Sequence, residues 1–261
     1  MHTPIRLYWP ILYQLLRADF IGSRPLIKNR IIDTCIFVAF NVIISGFLLV
    51  GVRADFGIFM VATFAGSACS SHIYSQITEI VVDLTNNKVI TYELTLPLPS
   101  WLAIARIAIS NAVQSLLASL VIFPFGLLFV WQQFDPTHFS TLWFSLFFIT
   151  SCVFCGFFGL LAVSFIPSVQ QLRIAWLRII YPMWMMGGMQ FTWATLYERS
   201  SFFGYLALAN PFTYMQEGMR GAVLGQAGSI PCWICFVILI GFSAASGLIG
   251  IKRMMKRLDC V

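Results

Sequence analysis

Charge is the scarcest property of this chain. Only 10% of its 261 residues are Asp, Glu, Lys or Arg, where a soluble globular domain carries roughly a quarter. That shortage leaves no stretch able to form a separate water-soluble domain. With 59% hydrophobic residues and a mean hydropathy of +0.85, the chain reads as an integral membrane protein. The short alternating segments of a transmembrane barrel are missing as well. The apolar runs extend for about twenty residues, the length a helix needs to cross a bilayer. A backbone in hydrocarbon must satisfy its own hydrogen bonds, so the expected fold is an all-α membrane bundle.

Chemistry-bearing groups are equally sparse. The histidines, His2, His72 and His138, lie far apart, and neither HExxH nor GxSxG occurs. His72 reads most simply as a buried polar group in a helix contact. An intramembrane lipid-modifying enzyme stays open only as a constellation assembled from distant residues. No GxxxxGK[ST] phosphate loop is present, so the chain does not bind ATP through a Walker fold. The centres of the expected spans hold no acid or base, which disfavours an ion-coupled carrier. Asn41, Asn111 and Gln114 are the polar exceptions, and interhelical hydrogen bonding accounts for them. Any energy for transport has to come from another polypeptide.

Two cysteine pairs have CxxC spacing, Cys152/Cys155 and Cys232/Cys235. A four-thiolate zinc site needs all four at one point, and the expected spans hold the pairs at different depths. They read as packing residues, and no metal or other cofactor is expected on the chain.

In chain order, residues 1–30 form an amphipathic segment. Ile5, Tyr8, Trp9, Leu12, Leu15 and Leu16 recur at helical spacing, and Arg6, Arg17 and Asp19 lie elsewhere. Such a segment lies in the membrane interface or packs as a short helix on the bundle, and Pro25 is expected to break it from the first span. No cleavable signal peptide is expected. The remainder, 31–261, is read as one domain of six spans. They are Ile31–Val52, Phe56–Tyr74, Leu102–Trp131, Phe139–Ile166, Ile174–Leu196 and Ile230–Ile251.

Orientation follows from where the basic residues fall. With the amino terminus inside, Arg6, Arg17, Arg24, Lys28, Arg30, Lys88, Arg106, Arg173, Arg178 and the tail Lys252, Arg253, Lys256 and Arg257 share one side. Only Arg53, Arg199 and Arg220 fall on the other. That bias places both termini in the cytoplasm. The net charge of +6 is this topological bias rather than a sign of nucleic-acid binding. It also puts the polar insertion Gln76–Ser100 inside and residues 197–229 outside. In the outer region Asn210-Pro211 marks a helix start, Thr213–Leu224 is long enough for about three turns, and Glu217 and Arg220 form an i,i+3 pair. Gly225 and Gly228 supply the exit. Too short to span and too apolar for free solvation, this piece is expected to be re-entrant or interfacial.

These residues resemble the permease subunit of type-two ATP-binding-cassette exporters. The resemblance is carried by Tyr92-Glu93-Leu94-Thr95-Leu96-Pro97-Leu98-Pro99, by Pro182-Met183-Trp184-Met185-Met186-Gly187-Gly188-Met189-Gln190-Phe191, and by Asn210-Pro211-Phe212-Thr213-Tyr214 followed by Glu217-Gly218-Met219-Arg220-Gly221. Asn86-Asn87-Lys88 replaces the family's Arg/Glu-Gly-Thr. The resemblance implies a dimer of permeases, identical or related, in a bacterial cytoplasmic membrane. It also implies two copies of a separate ATPase, which hold ATP and Mg. The loop Gln76–Ser100 then docks on that ATPase through Val89, Ile90, Thr91, Tyr92, Glu93 and Leu94, with Glu79, Asp83 and Lys88 orienting it and Pro97 and Pro99 stiffening its exit. A solvated linker is the plain alternative for the loop. Asn210, Pro211, Glu217, Arg220 and Gly221 form the re-entrant motif. Trp184, Phe191 and Trp193 are candidate pore-lining residues, set against the plainer role of aromatics facing lipid and interface. An amphipathic or glycan-type cargo is preferred to a small drug. A non-transporting membrane assembly partner is the third reading.

Overall fold

The structure, a computed structural model, describes residues 9–44, 55–67, 69–87, 89–95, 98–225 and 230–258. All regular structure among them is helical. Four helical runs are long and apolar enough to cross a membrane: Phe56–Asn86, Ser100–Gln133, Thr141–Phe165 and Cys232–Leu258. They overlap the expected second, third, fourth and sixth spans, because unbroken apolar length is a local property of the sequence. The second run, however, continues past Tyr74 to Asn86, so the first part of the expected loop Gln76–Ser100 is helical. The first and fifth spans depart from expectation.

Helix α1 (Trp9–Ile43) is continuous, and Pro25 lies inside it. The expected break at Pro25 is therefore corrected. Proline removes one N–H bond and crowds the preceding turn, but the packing seam on either side is uninterrupted. Ser23, Ile27, Arg30, Thr34, Val38 and Val42 recur every three or four residues and are all buried. Tertiary contact along this stripe outweighs the local cost of one lost bond. The far end of the expected first span, 45–52, lies outside the described residues.

Helix α2 (Phe56–Ser67) is the centre of the molecule. Every residue from Gly57 to Ser67 is buried, as expected for a helix apolar all round. Gly66 allows the closest approach, since a Cβ there would meet the Met215 carbonyl oxygen at 2.8 Å. Helix α3 (Ser70–Val82) continues into a π-helical turn, Asp83–Asn87, and a five-residue helix α4 (Val89–Glu93) comes next. The third crossing is built from α5 (Ser100–Ser119) and α6 (Ile122–Val130), the fourth from α7 (Thr141–Phe165). Helix α1 packs on α5 and α6, and α7 on α5.

The fifth expected span, Ile174–Leu196, is not one helix. The chain is helical from Val169 to Met186, as α8 (Val169–Ala175), a π-helical turn Trp176–Ile180, and α9 (Tyr181–Met186). It then turns at Gly187–Thr192 and resumes as the pair α10 (Trp193–Arg199) and α11 (Ser201–Leu208). Gly188 makes the turn possible: its φ of +99° is open to glycine and strained for any side chain. Helix α12 (Pro211–Leu224) then runs through the interior against α2 and α7, and α13 (Cys232–Leu258) closes the bundle against α7 and α12.

Candidate functional site

Two regions bring the singled-out residues together. The first lies where α3 meets α4. The Asp83 carboxylate accepts the backbone N–H of Val89 at 3.2 Å and that of Ile90 at 2.9 Å. It thereby satisfies the free donors at the start of α4 and opposes the positive end of its dipole. Ile90 is buried and pins the short helix to the bundle, whereas Val89 is 49% and Tyr92 71% exposed. Thr91 and Leu94 are half-buried. Leu94 N–H closes the helix onto the Ile90 carbonyl at 3.1 Å. The backbone of Glu93 ends α4, while its side chain, with Lys88 and Pro97, lies outside the described residues. The result is a short, capped helix that shows two large apolar side chains outward.

Behind α4 lies a charged cavity of about 280 Å³, bordered by Asp19, Glu79, Asp83, Ile90, Arg106 and Gln114 among others. Arg30, buried on α1, pairs with Glu79 of α3 at 2.6 Å and donates to Gln114 of α5 at 3.0 Å. Arg106, buried on α5, pairs with Asp19 of α1 at 3.5 Å. Three helices are thus tied together by charge next to α4. Sequence reasoning places Arg30 in the amphipathic segment and Arg106 at an interfacial helix start, and it misses the network they form. The partners are 49 and 84 residues apart for Arg30, so no local spacing announces them.

The second region is α12. Asn210 caps it, with Oδ1 accepting from Phe212 N–H at 3.1 Å, and Pro211 occupies the first turn. Everything from Pro211 to Val223 is buried, Gly221 included. The Glu217–Arg220 pair forms inside the protein, and both side chains reach beyond their own helix. Glu217 accepts the Trp193 main-chain N–H at 2.7 Å. Arg220 donates to the Gly188 carbonyl at 2.5 Å and to Thr63 Oγ1 of α2 at 3.2 Å, with its guanidinium 4.8 Å above the Phe59 ring. Asn210 Nδ2 donates to the Met183 carbonyl at 2.5 Å, and Gln216 to that of Trp184 at 3.3 Å. The polar residues of α12 therefore bind the main chain on both sides of the Gly187–Thr192 turn and anchor it to α2. Buried charges keep such positions only when paired and hydrogen-bonded.

Trp184 is buried, with its ring 6.4 Å from that of Phe37. Phe191 is half-buried in the turn. Trp193 is held by both of its donors, the backbone N–H on Glu217 and the indole N–H on the Gly204 carbonyl at 3.0 Å. The three aromatics sit around the turn rather than along one helix face. The Gly187-Gly188 dipeptide is a turn signal, which the surrounding apolar run conceals.

Of the cysteines, Cys69 Sγ lies 2.7 Å from Cys155 Sγ and points to the Ser151 carbonyl, while Cys232 and Cys235 lie near Gly218 and Ile230. Among the described residues no group of His, Cys, Asp and Glu has metal-site geometry. His72 is buried against Thr34 Oγ1 at 3.2 Å. His138 sits in the exposed loop before α7, near Asp135. There the Thr137 hydroxyl and N–H hold the Asp135 carboxyl below its ordinary range.

Residues 35–224 match the family model for the ABC-2 type transporter. That span runs from the last turns of α1 to the last residue of α12. It contains α4 and α12 with their contacts, whereas Asp19 and Arg30 of the network behind α4 precede it. The chain belongs to this family. No curated protein and no solved structure matches. As an ABC-2 transporter domain, with several apolar helices of membrane-crossing length, the protein is a multi-pass membrane component of a transporter. In this ABC-2 permease domain, α4 presents the exposed apolar surface and α12 the buried polar frame.

Proposed function

We propose that this chain is the permease of an ATP-driven exporter and that α4 is its docking element for a separate nucleotide-binding subunit. The observation that carries the reading is the exposure of Val89 and Tyr92 on a helix otherwise fixed by Asp83 and Ile90. A five-residue helix is far too short to be stable alone, so its capping and anchoring make a rigid knob. Closure of two ATPase subunits would push on that knob, and the Arg30–Glu79–Gln114 and Asp19–Arg106 contacts behind it would pass the push to α1, α3 and α5.

In this reading six crossings are made. The first runs along α1 and the fifth along α8 and α9, with α12 as a re-entrant helix. The amino-terminal part of α1 lies at the cytoplasmic surface, and both termini are cytoplasmic. Two permease copies work with two ATPase copies, which carry the ATP and Mg, in a bacterial cytoplasmic membrane. The cargo is an amphipathic or glycan-type molecule.

The test is co-purification of the full chain at native expression with a soluble Walker-type ATPase, followed by transport-coupled ATP hydrolysis by that complex in proteoliposomes. Tyr92→Asp should abolish the complex and leave the permease monodisperse. A complex that forms equally well with Tyr92→Asp and with Val89→Asp would overturn the docking assignment.

A further inference from the structure

The structure moves the frame of the fifth segment, and with it the meaning of one arginine. In the expected span, 174–196, Arg178 lies close to one end. In the helix that forms, Val169 to Met186, it falls mid-way along, inside the π-helical turn Trp176–Ile180. Isolated π-helical turns recur at functional sites. The Arg178 side chain is exposed, and it has no ion-pair or hydrogen-bond partner among the described residues. In the proposed topology, where α8 and α9 make the fifth crossing, a cation mid-way along it is costly and is kept where it faces a path or a counter-charge.

Arg178 borders a pocket of about 330 Å³ between α9 and α11. The walls beyond it are apolar, formed by Pro182, Met183, Met186, Leu206 and Ala207. Asn210 also touches the pocket, but its amide is already used on Met183 and Phe212. The guanidinium is thus the group left to bind a polar ligand atom. From Arg178 to Met186 the helix rises about 12 Å, so charge sits at one end and hydrocarbon-like surface continues away from it. Guanidinium matches the oxygens of a phosphate in a planar, bidentate way. Methionine walls adapt to a flexible chain.

We propose that this pocket binds a phosphate-headed amphiphile, Arg178 taking the phosphate and the Pro182–Met186 and Leu206–Ala207 walls taking the hydrocarbon. The proposal deepens the exporter reading and rests on it only for treating this amphiphile as cargo.

The test uses the purified full chain in a neutral detergent. Phosphatidic acid and diacylglycerol of matched acyl chains are offered at equal concentration, and retained lipid is counted by native mass spectrometry. Phosphatidic acid should be retained about tenfold over diacylglycerol, as a charge-assisted contact allows. Arg178→Gln should erase that preference, and Arg178→Lys should keep part of it. Arg173→Gln, outside the pocket, should leave it unchanged, and Ala207→Trp should exclude both lipids. Several results overturn the proposal. They are a preference that survives Arg178→Gln, one lost equally with Arg173→Gln, and displacement of the lipid by equimolar inorganic phosphate. A fourth is an Arg178→Gln protein that changes only from dimer to monomer, which would assign the face to a second copy of the chain. Neither ATPase nor transport enters the readout. Failure here therefore leaves the exporter reading standing, and failure of the ATPase to co-purify leaves the lipid site standing.

Discussion

Glu217 accepts the main-chain N–H of Trp193 at 2.7 Å, joining the middle of α12 to the point where the chain becomes helical again after its turn. The same carboxylate pairs with Arg220, so one buried ion pair holds a main-chain segment 24 residues upstream. Removing only the cation, in Arg220→Met, leaves a carboxylate buried without its counter-charge. The expected loss is about 3–5 kcal/mol, read as a large fall in melting temperature in detergent. Glu217→Gln keeps an acceptor for Trp193 and should be milder. The double variant Glu217→Gln/Arg220→Met should recover stability relative to Arg220→Met alone, since no uncompensated charge remains. If the double variant is as unstable as the two losses added, the pair does not act as a unit.

At α4 the decisive group is the Asp83 carboxylate, which binds the N–H groups of both Val89 and Ile90. Asp83→Ala should cost about 1 kcal/mol, as the loss of a helix cap does, and global melting should move only slightly. If α4 docks on the ATPase as proposed, ATPase coupling should fall much further, because α4 loses its fixed direction. Asp83→Asn retains one acceptor oxygen and should give an intermediate value. Equal coupling in wild type and Asp83→Ala would show that the pose of α4 is set elsewhere.

How far these features can be read from sequence depends on the range of the interaction. Apolar runs such as Thr141–Phe165 announce themselves by length, and Asn210-Pro211 with Glu217 and Arg220 by spacing within one helix. The tie from Arg220 to Gly188 and Thr63 spans 32 and 157 residues, and nothing local encodes it. Pro25 misleads in the opposite direction. Its local preference favours a break, but the buried seam from Ser23 to Val42 carries the helix through. The break in the expected fifth span is hidden because Pro182–Trp193 is largely apolar and conceals a two-glycine turn. A capping aspartate six residues before its target has no sequence signature distinct from a surface charge.

Gly188 combines a φ of +99° with close surroundings. A Cβ added there would meet the Phe191 carbonyl at 2.9 Å and Arg220 Nη2 at 3.1 Å. Gly188→Ala should therefore be destabilised by roughly 1–3 kcal/mol from backbone strain alone, with displacement of Arg220 adding to it. Gly225 also has a positive φ, +87°, but its nearest neighbours are His138 atoms at 3.5 Å or more. Gly225→Ala should carry the strain without the clash and be the milder of the two. Thermal unfolding of both variants in one detergent makes the comparison, and the reverse order would show that the turn is not where Arg220 anchors.

Cys69 and Cys155 belong to the α2–α3 junction and to α7, 86 residues apart, with their sulfurs in contact at 2.7 Å. Diamide should oxidise this pair: its N=N bond takes up two protons and two electrons from the thiols, becoming a hydrazine, and one disulfide closes. Peptide mapping should then recover a Cys69–Cys155 cross-link, and none between Cys69 and Cys232 or Cys235, which lie near Gly218 and Ile230. Cys69→Ser should abolish it. The cross-link fixes how α7 sits against the α2–α3 junction. If export requires α3 to move past α7, the oxidised protein should keep its ATPase complex while losing transport, and reduction should restore it. Recovery of a Cys69–Cys232 link instead would mean that α7 and α13 are exchanged in the packing around α2.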